Sequence, residues 1–156
     1  MIKNIPDIKV PIIKDGISNI LSLKDEFKNK RLILFGVPGA FTPTCSEKHL
    51  PGYIRLYDSF KKKHIEDIYC LSVNDHYVMK SWLISYSEDH QIKGIADGNA
   101  EISRYYDLIT DKSQNFMGYR SSRFAMLIEN NQIKSFKIEQ SGELKVSSAE
   151  NMILEI

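Results

Sequence analysis

RLILFGVPGAFTPTCSEKHLPG, Arg31 to Gly52, is the stretch that decides the fold. Arg31 to Val37 is a near-continuous apolar run with turn residues after it, which is how a strand buried on both faces reads. Gly36 to Gly52 joins the end of that strand to the start of an amphipathic helix. From Cys45 onward Leu50, Tyr53, Ile54, Tyr57 and Phe60 share one helical face, and the run closes on Lys61, Lys62 and Lys63, cations suited to the negative end of a helix dipole. In open α/β sheets ligands collect outside the carboxyl ends of the strands, so a site is expected between this strand and this helix.

Working outward, Ile8 to Ile13 reads as extended and leads through an Asp15-Gly16 turn to a short polar-faced segment, Ser22 to Asn29. Asp67 to Val73 (DIYCLSV) is a second buried strand. Asn74 and Asp75 cap a helix carrying Val78, Met79, Trp82, Leu83 and Tyr86. A short strand follows at Ile92 to Ala96, then an Asp97-Gly98-Asn99 turn and a helix from Ala100 to Tyr106. Phe124 to Glu129, an Asn130-Asn131 turn and Ile133 to Glu139 make a hairpin. Ser148 caps a last helix expected to run to the C-terminus. Strands and helices alternate first and a hairpin comes later, so the pattern predicts a mixed central sheet flanked by helices. That order fits a thioredoxin-like α/β domain, and the pattern alone admits other α/β folds.

With 156 residues, no internal repeat and no break in composition, residues 1–156 are read as one domain. The chain is 42% hydrophobic and 26% charged, ordinary for a globular protein. Lys and Arg total 21 against 20 Asp and Glu, a net charge of +1 that gives no electrostatic case for nucleic acid or an anionic membrane. The apolar runs are far too short for a membrane span. The N-terminus MIKNIPDIKVPIIKDG has neither a secretory h-region nor an Arg-rich transit pattern, which favours the cytoplasm unless a presequence has been removed. Two cysteines, Cys45 and Cys70, are too few for a disulfide scaffold.

Two helix starts fit the loop. Thr44 as N-cap with Glu47 three residues on makes a capping box; Thr42 as N-cap places Pro43 at the first helical position. Both put Cys45 in the first turn, near unpaired N–H groups and the positive end of the dipole. An ordinary thiol, with a pKa of ~8.5, is only about 3% thiolate at pH 7; such surroundings can lower that pKa to ~3.5–7.5. A lone cysteine is ordinarily buried filler, but a polar loop opening a helix is a poor place for filler. By the same reasoning Thr42 reads as a cap, Pro38 as a strand terminator, and Arg123 and Arg120 as surface charges between which spacing cannot choose. His49, one turn after Cys45, reads as a general base or a structural residue, the latter preferred.

Pro38-x-x-x-Thr42-x-x-Cys45 matches the active-site pattern of peroxiredoxins, and GVPGAFTPTCSEKHLPGY resembles their type II, peroxiredoxin-five-like subfamily. The resemblance continues through LSVNDHYVMKSW (Leu71 to Trp82), ADGN (Ala96 to Asn99) and RSSRFAMLIENN (Arg120 to Asn131), and so covers most of the chain. It implies a thioredoxin-like fold and an antioxidant thiol peroxidase, reducing hydrogen peroxide and alkyl hydroperoxides through a cysteine sulfenic acid. Cys45 would attack the peroxide, Thr42 would offer its hydroxyl, Pro38 would shield the sulfur, and Arg123 would favour the thiolate and orient the peroxide. No metal or organic cofactor is implied. Glutathione with glutaredoxin, or thioredoxin, would recycle the enzyme in cell redox homeostasis, and a homodimer is the family expectation.

Cys70 lies within a strand-like apolar run, where an inert buried thiol is the default. The resemblance also allows it to be a resolving cysteine that pairs with Cys45 after local unfolding. Among competing functions, a dithiol oxidoreductase needs Cys-x-x-Cys, and Thr42 occupies the position of the first cysteine. A metal site on Cys45 and His49 lacks two further ligands at suitable spacing. A binding domain that merely keeps the fold is disfavoured by the joint presence of Pro38, Thr42, Cys45 and Arg123.

Overall fold

The structure is a computed structural model and describes residues 4–86 and 90–156. Strands β1 (Lys9–Lys14) and β2 (Ile17–Ser22) form an antiparallel hairpin. Asp15 and Gly16 both take positive φ at its tip, as a two-residue turn between twisted strands demands. Ser22 then accepts from Asp25 N and starts the short helix α1 (Leu23–Phe27). The sequence reading placed only a polar-faced segment after the turn. β2 escaped because it is an edge strand with Ile17 and Ile20 left exposed, so its apolar residues do not mark a core face.

β3 (Arg31–Gly36) is buried from Leu32 onward, as its apolar run predicts. After the loop come a wide π turn (Cys45–His49), α2 (Leu50–Arg55) and α3 (Tyr57–Lys62). The expected single helix is therefore two segments kinked at Leu56, with the i→i−4 bonds of Leu56 and Phe60 bridging the kink. Its apolar face is as predicted: Leu50, Tyr53 and Phe60 are buried, and Ile54 and Tyr57 pack against them.

β4 (Asp67–Ser72), α4 (His76–Ile84, capped by Asp75 onto Val78 N), β5 (Lys93–Ala96) and α5 (Glu101–Tyr105) follow in the predicted order. A small hairpin of β6 (Ile109–Asp111) and β7 (Tyr119–Ser121) precedes β8 (Phe124–Glu129) and β9 (Gln132–Ile138). Asn130 and Asn131 both take positive φ at the β8–β9 turn. Ser148 caps α6 (Ala149–Met152) as predicted, but this helix ends at Met152 and gives way to a turn.

Seven strands form one sheet in the order β2-β1-β5-β4-β3-β8-β9. β3, β4 and β5 run parallel, while β1 and β8 flank them antiparallel, so the sheet is mixed. Successive side chains point to opposite faces. Ile33, Phe35, Ile68 and Cys70 pack with Tyr53, Phe60, Trp82 and Met152 from the helices α2, α3, α4 and α6. Leu32, Leu34, Tyr69 and Leu71 pack on the other side with Phe27 and Ile102 from α1 and α5.

One register fixes the site. Gly36, the last residue of β3, pairs with Phe124, the first of β8. A Cβ on Gly36 would lie 2.0 Å from the Phe124 ring, so glycine is what lets the two strands seat there. This pairing brings Arg123, one residue before Phe124, to the end of β3 from which the cysteine loop departs.

Candidate active site

The loop from Val37 to Thr42 is pinned at several points. Val37 N donates to Leu71 O (2.9 Å), and Ala40 N donates to Asn74 Oδ1 (3.1 Å). Phe41 takes positive φ, and Thr42 Oγ1 donates to Gly39 O (2.6 Å). Helical backbone begins at Pro43, and Ser46 N donates to Thr42 O at 2.9 Å. Of the two predicted starts, the structure adopts Thr42 followed by proline; Thr44 is itself helical and makes no side-chain cap.

The π turn has a cause in the sequence. In an α-helix Pro51 would have no N–H for the Glu47 carbonyl, and its ring would crowd that oxygen. The turn before it widens instead, with Leu50 N donating to Cys45 O five residues back. In this turn Cys45 and His49 are both buried, whereas Glu47 and Lys48 are exposed. Ser46, between them, is tied to α4: Trp82 Nε1 donates to its Oγ (2.9 Å) and Tyr86 Oη to its carbonyl (2.6 Å).

Arg123 faces this turn. Its Nη2 donates to Cys45 Sγ at 3.2 Å, and its Nη1 lies 2.9 Å from His49 Nδ1. A guanidinium only donates, so Nδ1 is the unprotonated acceptor and the ring hydrogen sits on Nε2, which donates to Ser147 O (3.0 Å). Tyr53 Oη donates to the same carbonyl at 2.7 Å. Burial, then the neighbouring Arg123 charge, push the His49 pKa down to about 3 against the Ser147 carbonyl, so the ring is neutral at ordinary pH. A neutral histidine engaged at both nitrogens is a structural acceptor, the preferred one of the two roles predicted for it. Those engagements also take it away from any metal, and no group of three or more potential ligand side chains forms among the described residues.

The rival arginine goes elsewhere. Arg120 donates through Nε to Met117 O (2.9 Å) and through Nη1 to Val73 O (3.4 Å), bracing loops beside Gly39. Pro38, Thr44 and Arg123 line a cavity of about 250 Å³ whose far wall is Glu139, Gln140, Ser141 and Gly142. Cys45 itself is 1% exposed. The sulfur is thus less open than a polar loop suggests, for Cys45 belongs to the apolar cluster that includes Phe35 and Tyr53.

Cys70 sits on β4, fully buried in the same apolar cluster as Cys45. Burial foremost, then the nearby Cys45 charge, push its thiol well above the ordinary range, with Arg123 opposing. Sequence reasoning missed Ser147 and Glu139, which hold His49 from behind. No motif marks them, because their contribution comes through a backbone carbonyl and a loop brought back by the β8–β9 hairpin.

A thioredoxin-like sheet presenting one cysteine to a guanidinium at the end of its central strand defines a thiol-based oxidoreductase. Comparison with known proteins gives the class its family. Residues 3–153 match the Redoxin family. The chain is 40% identical over 151 residues to Peroxiredoxin-2D of Arabidopsis thaliana, covering 91% of this chain and 93% of that one. Among solved structures it is similar to reduced Prx3 of Vibrio vulnificus in complex with hydrogen peroxide, with a TM-score of 0.91, 36% identity and coverage of 98% and 96%. It is also similar to peroxiredoxin 5 of Alvinella pompejana, with a TM-score of 0.83, 33% identity and coverage of 98% and 94%. The chain belongs to the peroxiredoxin family, in its type II branch, and is a thiol peroxidase. Among the described residues no helix is long and apolar enough to cross a membrane.

Proposed function

We propose that the whole chain works as one domain in which Cys45 reduces hydrogen peroxide and alkyl hydroperoxides through a sulfenic acid. The Cys45 thiolate attacks the terminal peroxide oxygen; an S–O bond forms as the O–O bond breaks. The hydroxyl stays on sulfur, and the leaving oxygen departs as hydroxide or alkoxide and takes a proton from solvent. Sulfur is oxidised and the peroxide reduced. The observation that carries this reading is the 3.2 Å hydrogen bond from Arg123 to Cys45 Sγ. A fixed cation at the sulfur stabilises the charge before attack and also favours the negative charge that develops on the leaving oxygen.

Thr42 supplies its hydroxyl to the peroxide in this reading, with its own proton anchored on Gly39 O, and Pro38 walls the cavity and shields the sulfur. No metal or cofactor takes part. An external thiol, either glutathione with glutaredoxin or thioredoxin, attacks the sulfenic acid, releasing water and leaving a mixed disulfide that a second thiol reduces. The burial and raised pKa of Cys70 support an external donor over Cys70 as resolving residue. The chain acts as a homodimer, for which exposed Phe41 and Phe116 offer apolar surface, in a thiol-reducing cytoplasm. The reading is tested by peroxidase assays of wild type, Cys45→Ser and Cys70→Ser with each reductant. Activity must vanish in the first variant and persist in the second; activity surviving Cys45→Ser would refute it.

A further inference from the structure

The groups around Arg123 close into a ring. Its guanidinium holds His49 Nδ1, and His49 Nε2 holds Ser147 O. Ser147 is fully buried and is itself held by Glu139: Oε2 accepts from Ser147 N (2.8 Å), Ser147 Oγ (2.7 Å) and Lys145 N (2.6 Å). The backbone of Glu139 returns to the start, with its N–H donating to Arg123 O at 2.9 Å. Glu139 thus grips Arg123 directly by its main chain and indirectly, through two intermediates, by its head group.

A carboxylate is costly to bury unless its lone pairs are filled, and here a single oxygen takes three donors from one loop. Burial pushes this carboxyl up, but the Ser147 and Lys145 N–H bonds outweigh it and hold the pKa below the ordinary value. Such a group holds Ser147 at two points, its N–H and its hydroxyl, and so places the residue whose carbonyl faces His49. That carbonyl decides where the Nε2 hydrogen of His49 points, and the ring orientation then decides where Nδ1 offers its lone pair to Arg123.

We propose that Glu139 is a positioning residue for the active-site arginine, acting through Ser147 and His49 to hold the guanidinium on Cys45. Glu139 and the residues that follow it, 140–142, also line the cavity beside Arg123. The inference rests on the role given to Arg123 above.

The test is a double-mutant cycle on the rate constant of Cys45 with hydrogen peroxide, measured by rapid mixing in proteins shown by melting to be folded. Glu139→Ala is expected to slow the reaction about tenfold when Arg123 is present and less than about twofold in the Arg123→Ala background, since coupled residues are not additive. Should Glu139→Ala not fold, Ser147→Ala enters the same cycle, with an expected slowing of about threefold confined to the background that keeps Arg123. Equal slowing in both backgrounds, or none in either, would overturn the proposal. If Arg123→Ala by itself leaves the rate unchanged, the reading of the site fails and this inference with it. A slow Arg123→Ala protein with an additive Glu139→Ala overturns this inference alone.

Discussion

Arg123 Nη2 donates to Cys45 Sγ across 3.2 Å, joining the head of β8 to the first turn of a helix 78 residues earlier in the chain. The contact exists because Gly36 pairs with Phe124, so the two strand ends meet where the cysteine loop leaves the sheet. Arg120 lies in β7, which pairs with β6 in the separate small hairpin, and its side chain serves loop carbonyls.

The two arginines should therefore separate in kinetics. Arg123→Ala should slow peroxide reduction by about a hundredfold to a thousandfold, the usual loss when a donor aimed at developing charge is removed. Arg120→Ala should cost far less in rate and act mainly through the order of the loop around Gly39. Stopped-flow peroxide reduction of both variants checks this, and a reversed ranking would mean that the wrong guanidinium has been assigned.

Cys70→Ser should leave turnover with external thiols within about twofold of wild type, because in the proposed cycle the external thiol, not Cys70, attacks the sulfenic acid, and the exchange keeps a side chain of nearly the same size on β4. Intact-protein mass after peroxide treatment without reductant should show Cys45 oxidised and no loss of two hydrogens for an internal disulfide. A disulfide between Cys45 and Cys70 would show that the sheet opens during the cycle and that Cys70 resolves the sulfenic acid.

His49 ties stability to pH. In the unfolded chain it takes a proton below a pH of about 6.5, whereas in the fold its pKa is about 3. Between these values the unfolded state binds more protons, so stability is whole above the upper value and falls as the pH drops below it. From pH 7 to pH 5 this amounts to about 2 kcal/mol for wild type. His49→Asn has no such proton to bind, so denaturant melts at the two pH values should show a smaller loss by about that amount, carboxylate effects being common to both proteins. Parallel losses would show that His49 titrates normally.

Trp82 is the single tryptophan and donates to Ser46 Oγ, next to Cys45. An oxygen added to the buried Cys45 sulfur has to be accommodated beside Ser46, so tryptophan emission should change within the first turnover and recover on reduction. The change should be absent in Cys45→Ser. Emission that responds identically in that variant would locate the reaction elsewhere.

Much of this was legible because the relevant residues are neighbours in sequence or obey a period. The runs at Arg31–Val37 and Asp67–Val73, the Asp15-Gly16 and Asn130-Asn131 turns and the apolar face from Leu50 to Phe60 each specify an element locally. The motif Pro38, Thr42, Cys45 was likewise contiguous. The π turn was not read, although its cause, Pro51, stands in plain view, because proline in a helix predicts distortion without saying which kind. β2 hid because an edge strand need not alternate. Spacing alone could not choose Arg123 over Arg120, and only the resemblance named it, because its approach to Cys45 depends on a strand register. The Glu139–Ser147–His49 support depends on a carbonyl that any residue type could have presented. Such long-range, main-chain relationships carry no signature in residue identity.

The most direct measurement is site-resolved mass spectrometry after one equivalent of hydrogen peroxide, with a sulfenic acid trap present. The account predicts rapid single-oxygen oxidation trapped at Cys45, none at Cys70, and loss of the rapid phase in Arg123→Ala. Slow, equal oxidation of both thiols, or a rapid phase untouched by Arg123→Ala, would contradict it.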